Sequence, residues 1–283
     1  MKRVGRANDT SEFCWHHKAA CRPAKWWDAR HLLRWVQTMS SKRRGCVDTN
    51  ITLARQYWET VSPSFAHVEY THELVSETHL VGRWQRTWLA RWAQGGWLAD
   101  KRVADYGTGA GLLGRVLCQR YRIKHYVGID IASRSLTATE RTMQSTAPMC
   151  SRTLVLMPSA TDFTSLSLDA FISQQVIQHF PSQGYLDTWL AALEAARIPR
   201  LLLEVRHSPQ PSFSDWTIHA RDKIQPADNV PLPRVVYGTK VSCEYLSARL
   251  PSYMLQDAWF TTAGARNHSA FRACSFKCLG SLP

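Results

Sequence analysis

The chain has no run of about eighteen consecutive apolar residues, so no segment of it reads as a membrane-spanning helix. Its first nine residues, Met1 to Asp9, lack the apolar core of a secretory signal, and the expected location is therefore the cytoplasm. None of the eight cysteines forms a C-x-x-C pair. Scattered through a chain with no export signal, they read as free thiols. Cys14, His16, His17 and Cys21, with Cys46, come nearest to a metal-ligand cluster, but no spacing there fixes a zinc site and none is expected. Cys274 and Cys278 fall in an apparent strand, where alternation puts both on one face as packed thiols. Acidic residues are outnumbered, 22 Asp and Glu against 35 Lys and Arg, giving a formal net charge of +13. What is present is otherwise ordinary for a globular protein: 45% hydrophobic and 20% charged residues in 283, enough for one large domain or two small ones.

The basic excess is concentrated at the start. Residues 1–45 carry eleven Lys and Arg against Asp9, Glu12 and Asp28, and nine of the twelve tryptophans lie at or before Trp97. Cations that neutralise phosphates beside rings that stack on bases would suit a nucleic-acid partner; a solvated basic face and packed tryptophans account for the same pattern. From Glu73 to Ala93, Trp84, Trp88 and Trp92 recur at helical spacing, which predicts a helix covering a core, ended by Gly95-Gly96.

Val103 to Gly114 reads as a short buried strand turning through glycines into a helix, and helix-starting amides there favour a ligand oxygen. Two ligands compete for this loop. Gly109-Ala110-Gly111-Leu112-Leu113-Gly114 fits the dinucleotide pattern G-x-G-x-x-G, with Asp130 nineteen residues after Gly111 as a ribose-binding acid, which would mean NAD. The same residues fit a second pattern, Asp105-x-Gly107-x-Gly109-x-Gly111. That pattern resembles the first motif of the class I S-adenosylmethionine (SAM) dependent methyltransferases. Tyr126-Val127-Gly128-Ile129-Asp130 resembles that family's second strand, Ser159 to Phe163 its adenine-binding turn, and Leu168 to Phe180 its fourth-strand motif. Four motifs in order over residues 103–180 favour SAM over NAD.

The resemblance implies roles. Gly107, Gly109 and Gly111 would let the backbone approach the methionine end of SAM, with Asp105 near its amino group. Asp130 would accept from both ribose hydroxyls, followed by Ile131; Asp162 would accept from the adenine amine with Phe163 against the ring; Ser173 and Gln174 would flank the methionine moiety. Each acid also has a plain reading as a turn or cap residue. His179 is the candidate general base, with His207 and Glu204 behind it, although an acceptor already nucleophilic needs none. Tyr57 and Trp58, in the segment before the first motif, would line the acceptor pocket.

Alternating strand and helix patterns from Lys101 onward predict an α/β fold, a doubly wound Rossmann-like sheet of about seven strands with the last antiparallel. A helical N-terminal extension precedes it. The expected organisation is a basic, Trp-rich extension over 1–50, a helical cap over 51–97, and a SAM-binding core over 98–283 interrupted by a Pro-rich irregular insertion over 207–238. There is no Asn- or Asp-Pro-Pro-aromatic sequence of the adenine amino-methyltransferases and no Tyr-x-x-x-Lys pair of short-chain dehydrogenases. The implied acceptor is a small molecule. RNA remains open through the basic arm and the cap-methyltransferase-like Tyr126 to Ala132, as does an inactive methyltransferase-like binding subunit; oligomeric state is not legible.

Overall fold

The computed structural model describes residues 54–55, 58–59, 88–157, 162–217, 235–261 and 271–280. The basic extension, the Cys14 cluster, Tyr57, Trp84, Ser159 and His219 lie outside the described residues. Among the described residues no helix is long and apolar enough to cross a membrane.

Five strands, β1 (Arg102–Tyr106), β2 (His125–Asp130), β3 (Arg152–Leu156), β4 (Ala170–Ser173) and β5 (Arg200–Arg206), pair in parallel. They join β8 (Tyr253–Phe260) and β9 (Phe271–Cys278) in one seven-stranded sheet of order β3-β2-β1-β4-β5-β9-β8. Only β9, the last strand, runs antiparallel to its neighbours. The inner strands are nearly continuous apolar runs, because both faces of a parallel sheet are covered. Leu201, Leu202, Leu203 and Val205 of β5 are all fully buried.

Alternation along the strands splits the core in two. Val103, Tyr126, Ile172 and Leu202 point to one face, where they meet Leu113 and Leu117 of α1 (Leu112–Tyr121), Met143 of α2 (Ser133–Thr146), and Trp88, Leu89 and Trp92. Residues 88–92 are helical. The predicted role of the tryptophan stripe as a cover for the sheet holds for Trp88 and Trp92. Ala104, Val127, Phe171, Leu201 and Leu203 point to the other face, against Leu186, Trp189 and Leu193 of α3 (Gln183–Ala196) and Leu246 of α4 (Cys243–Ser247). Ser182 and Ser242 cap α3 and α4, each side chain accepting from an amide three residues on at 3.1 Å.

Two expectations are corrected. The insertion over 207–238 is not irregular throughout: β6 (Ser212–Thr217) and β7 (Val235–Lys240) form an antiparallel hairpin. Its prolines lie outside these two strands, so they mark ends and connection rather than absence of strand. The cysteines are not all free thiols. Cys118 is joined to Cys150 and Cys243 to Cys274, with Cα separations of 5.9 and 5.5 Å, and Cys278 is buried. Packing α1 beside the entry to β3, and α4 beside β9, brings together cysteines that linear spacing keeps apart. Cys274 and Cys278 do share a face, as expected.

Trp189 is fully buried between Tyr106, Phe171 and Phe180, with ring centroids 5.3, 5.8 and 5.2 Å away. Trp189→Ala should cost about 3–5 kcal/mol, read as a lower midpoint in chemical denaturation.

Candidate functional site

In the order β3-β2-β1-β4-β5, chain direction reverses its sense of winding between β1 and β4, and the crevice beyond the carboxyl ends of those strands is where such sheets bind ligands. The glycine loop leaves β1 there. Gly107 has φ 76°, and a Cβ on it would lie 2.2 Å from Val176 Cγ2, so the loop passes hard against the segment that follows β4. Gly109 has φ 56°, but a Cβ on it would meet nothing within 4 Å. Glycine is kept at 107 by crowding and backbone, and at 109 by backbone alone, beside open space that a ligand can enter. Below the loop, Gly114 of α1 would bring a Cβ within 2.5 Å of the Tyr126 ring, so it sets how close α1 sits to β2.

Asp130 ends β2 and is only 8% exposed. Its Oδ2 accepts from Gly109 N at 3.0 Å and its Oδ1 from Ala132 N at 2.9 Å. Burial raises its pKa, against these amide bonds. The same carboxylate also receives hydrogen bonds from the Ser135 side chain and the Ile131 amide. Asp105, 2% exposed, lies underneath: the Tyr126 hydroxyl donates to its Oδ2 at 2.9 Å, and Thr108 Oγ1 bonds the same hydroxyl. Burial pushes the Asp105 carboxyl up to about 7, with the charge of Asp130 adding to the rise. Asp105 therefore reaches the crevice through the backbone it braces. Ile131 follows Asp130, half-buried.

Across the crevice, Ser173 at the tip of β4 is fully buried and its Oγ has no hydrogen-bond partner among the described residues. A buried hydroxyl left this way is unusual. Gln174 follows it, half-buried. Gln175 adopts φ 55°, a left-handed conformation that costs a non-glycine residue about 1 kcal/mol or more, and its N–H donates to Glu204 Oε2 at 3.1 Å. Glu204, 1% exposed on β5, accepts at Oε1 from Thr261 Oγ1 at 2.6 Å. Burial pushes it up to about 8.

His179 closes the 3₁₀ turn Ile177–His179. Its ring lies 4.9 Å from that of Trp58, edge to face, and burial lowers its pKa to about 4, with the charge of Arg206 adding to the fall. The imidazole is neutral at pH 7. His207 sits at a bridge to Val241, its ring 5.8 Å from Phe260.

The adenine-turn residues make contacts of another kind. Asp162 is exposed, and its Oδ1 accepts from Thr164 N at 2.8 Å and from the Thr164 hydroxyl, which makes it the cap of the 3₁₀ turn Thr164–Leu166 and holds its carboxyl below the usual range. Phe163 is 1% exposed, packed against Phe171 and Tyr106 at 5.1 and 6.0 Å. The plain turn-and-core reading thus describes their contacts.

No motif in the sequence singles out Glu59. Its carboxylate accepts from Ser133 N at 2.7 Å, Ser133 Oγ at 3.2 Å and Arg134 N at 3.2 Å, capping α2, whose own N-cap residue is an alanine. Burial opposes the charge, but the amide bond from Ser133, followed by that from Arg134, brings its pKa below the usual value. Adjacent residues Trp58 and Glu59 therefore touch the segment after β4 and the helix after β2, on either flank of β1.

Asp105 and Glu204 give a pH signature. Both hold a proton in the folded chain at pH values where the unfolded chain has lost it, so their contribution is complete below about pH 4 and lost as pH rises through about 7 and about 8. Between about pH 7.5 and 8.5, where the imidazole of His179 is neutral in the folded chain and nearly all neutral in the unfolded one, stability should fall by on the order of 1 kcal/mol. The double variant Asp105→Asn/Glu204→Gln should flatten that fall in urea titrations.

Residues 104–200 match a family described as a methyltransferase domain. Over 100 residues the chain is 30% identical to the nonribosomal peptide synthetase kk1B of Curvularia clavata, a stretch amounting to 34% of this chain and 1% of the synthetase. The chain thus spans a very small part of that relative. The fold is similar to that of the magnesium protoporphyrin IX methyltransferase of Synechocystis with S-adenosylhomocysteine bound, at a TM-score of 0.54, 18% identity, and coverage of 80% of this chain and 99% of that one. It is also similar to the 1,6-didemethyltoxoflavin-N1-methyltransferase of Burkholderia thailandensis, at a TM-score of 0.53, 12% identity, and coverage of 91% and 93%. The matched segment contains the loop after β1, Asp130 and the tip of β4, so the likeness to a methyltransferase domain falls on the residues that border the crevice.

Proposed function

We propose that this chain transfers the methyl group of SAM to a small-molecule acceptor by in-line displacement. The observation that carries the reading is the pairing of Asp130 with the Gly109 amide at the mouth of the crevice, opposite the unpartnered Ser173 hydroxyl. SAM supplies a methyl carbon bonded to a positively charged sulfur. The chain's part is to hold and align. Asp130 accepts from the ribose, Gly109 gives the backbone room for the methionine end, and Ser173 and Gln174 bind beside it. Trp58 and the His179 turn screen the far side of β1 from water, which favours displacement by the aligned acceptor over side reactions. A small-molecule acceptor is supported by the names of the two structural neighbours, which act on a porphyrin and on a didemethyltoxoflavin. The reading with RNA as acceptor rests on residues 1–45, outside the described residues.

Calorimetric titration of the purified chain should give SAM and S-adenosylhomocysteine binding in the micromolar range and none with NAD. Asp130→Asn, which keeps one acceptor oxygen, should weaken binding by about tenfold, and Asp130→Ala by more. Absence of binding to the unaltered chain would overturn the reading.

A further inference from the structure

His179 was expected as a general base, and its surroundings give it the opposite polarity. Gln178 Nε2 lies 3.1 Å from His179 Nε2. In the amide orientation present, Gln178 Nε2 donates and the imidazole nitrogen facing it accepts, while Gln178 Oε1 is buried without a partner among the described residues. In a neutral ring the proton then sits on Nδ1. That nitrogen is also buried and has no hydrogen-bond partner among the described residues, an arrangement that is costly unless something completes it. The basic nitrogen is occupied and the other is already protonated; this imidazole has a hydrogen to offer and no lone pair to spare.

Its setting indicates what receives that hydrogen. The 3₁₀ turn bearing His179 begins three residues beyond Gln174, at the carboxyl end of the sheet, and β5 packs against it. Arg206, the last residue of β5, is half-buried and near enough for its charge to act on the imidazole. Guanidinium stays charged in such a place, and a neutral N–H donor beside it suits an anionic oxygen. Trp58, edge to face with the imidazole, adds an apolar wall.

Resting on the methyltransferase reading, we propose that His179 binds the methyl acceptor as a hydrogen-bond donor through Nδ1–H and, with Arg206, selects small acceptors that carry a carboxylate on an apolar or aromatic body. The reaction then uses no proton transfer to His179. Acceptors in which the carboxylate is amidated or esterified are poor substrates.

The test uses benzoate and its uncharged isostere benzamide as probes, titrated calorimetrically into the full-length chain with and without saturating S-adenosylhomocysteine. Benzoate should bind at least about tenfold more tightly than benzamide, in line with a charge-assisted bond. His179→Leu and Arg206→Gln should each weaken benzoate by about fivefold or more. His179→Asn, whose amide nitrogen replaces Nδ1–H as a donor, should retain most of the affinity, which a merely structural role for the ring does not predict. Equal binding of the two probes, no benzoate binding at all, or unchanged benzoate binding by His179→Leu overturns the proposal. Failure of the unaltered chain to bind S-adenosylhomocysteine sinks the donor reading instead, and benzoate binding without it still decides the anion site.

Discussion

Much of this structure hangs on one carboxylate. Asp130 accepts from Gly109 on one oxygen and Ala132 on the other, and so joins the loop after β1 to the start of α2. A buried carboxylate is costly unless its lone pairs are met, and here backbone amides and the Ser135 side chain meet them. The loop is pulled to the acid as much as the acid serves the ligand, and the loop's position fixes Gly107 against Val176 and thereby the path of the chain after β4.

A second tier of contacts lies below the first. Tyr126 spans from β2 to Asp105 under the glycine loop, and Gly114 lets α1 close over its ring. Glu204 does the equivalent work beneath Gln175, holding a left-handed backbone at the tip of β4 from the neighbouring strand. Both carboxyls have their pKa raised by burial, and both act on the site through other groups. Residues at the ends of three strands are thus set by partners from adjacent strands, which is how a parallel sheet concentrates control at one edge.

The parallel strands were legible because each is a short apolar run bounded by turn residues, and the winding helices because their polar faces repeat at helical spacing. Asp130 and the glycines were legible because the chemistry demands those residue types in a fixed local spacing. Other features depend on distant partners. Glu59 caps a helix 74 residues away, where the linear sequence shows only Ala132 in the capping position. The cysteine pairs are invisible until α1 and α4 are packed. Prolines 209, 211, 226, 231 and 233 suggested irregular chain over the insertion, yet Ser212–Thr217 and Val235–Lys240 lie between and beyond them and pair. Asp162 and Phe163 matched a motif by letter, while turn geometry and core packing account for their contacts. For His179, the expectation of a general base took no account of the amide of its neighbour Gln178, 3.1 Å from the ring.

The two disulfides sit one on each face of the sheet, tying α1 to the entry of β3 and α4 to β9, and they close loops of similar span, 32 and 31 residues. Each such closure removes about 3–4 kcal/mol of chain entropy from the unfolded state in the loop-entropy view. Neither touches the glycine loop, Asp130 or the tip of β4. The redox state of the surroundings is therefore coupled to how much of the protein is folded, and only indirectly to how tightly a folded molecule holds its ligand.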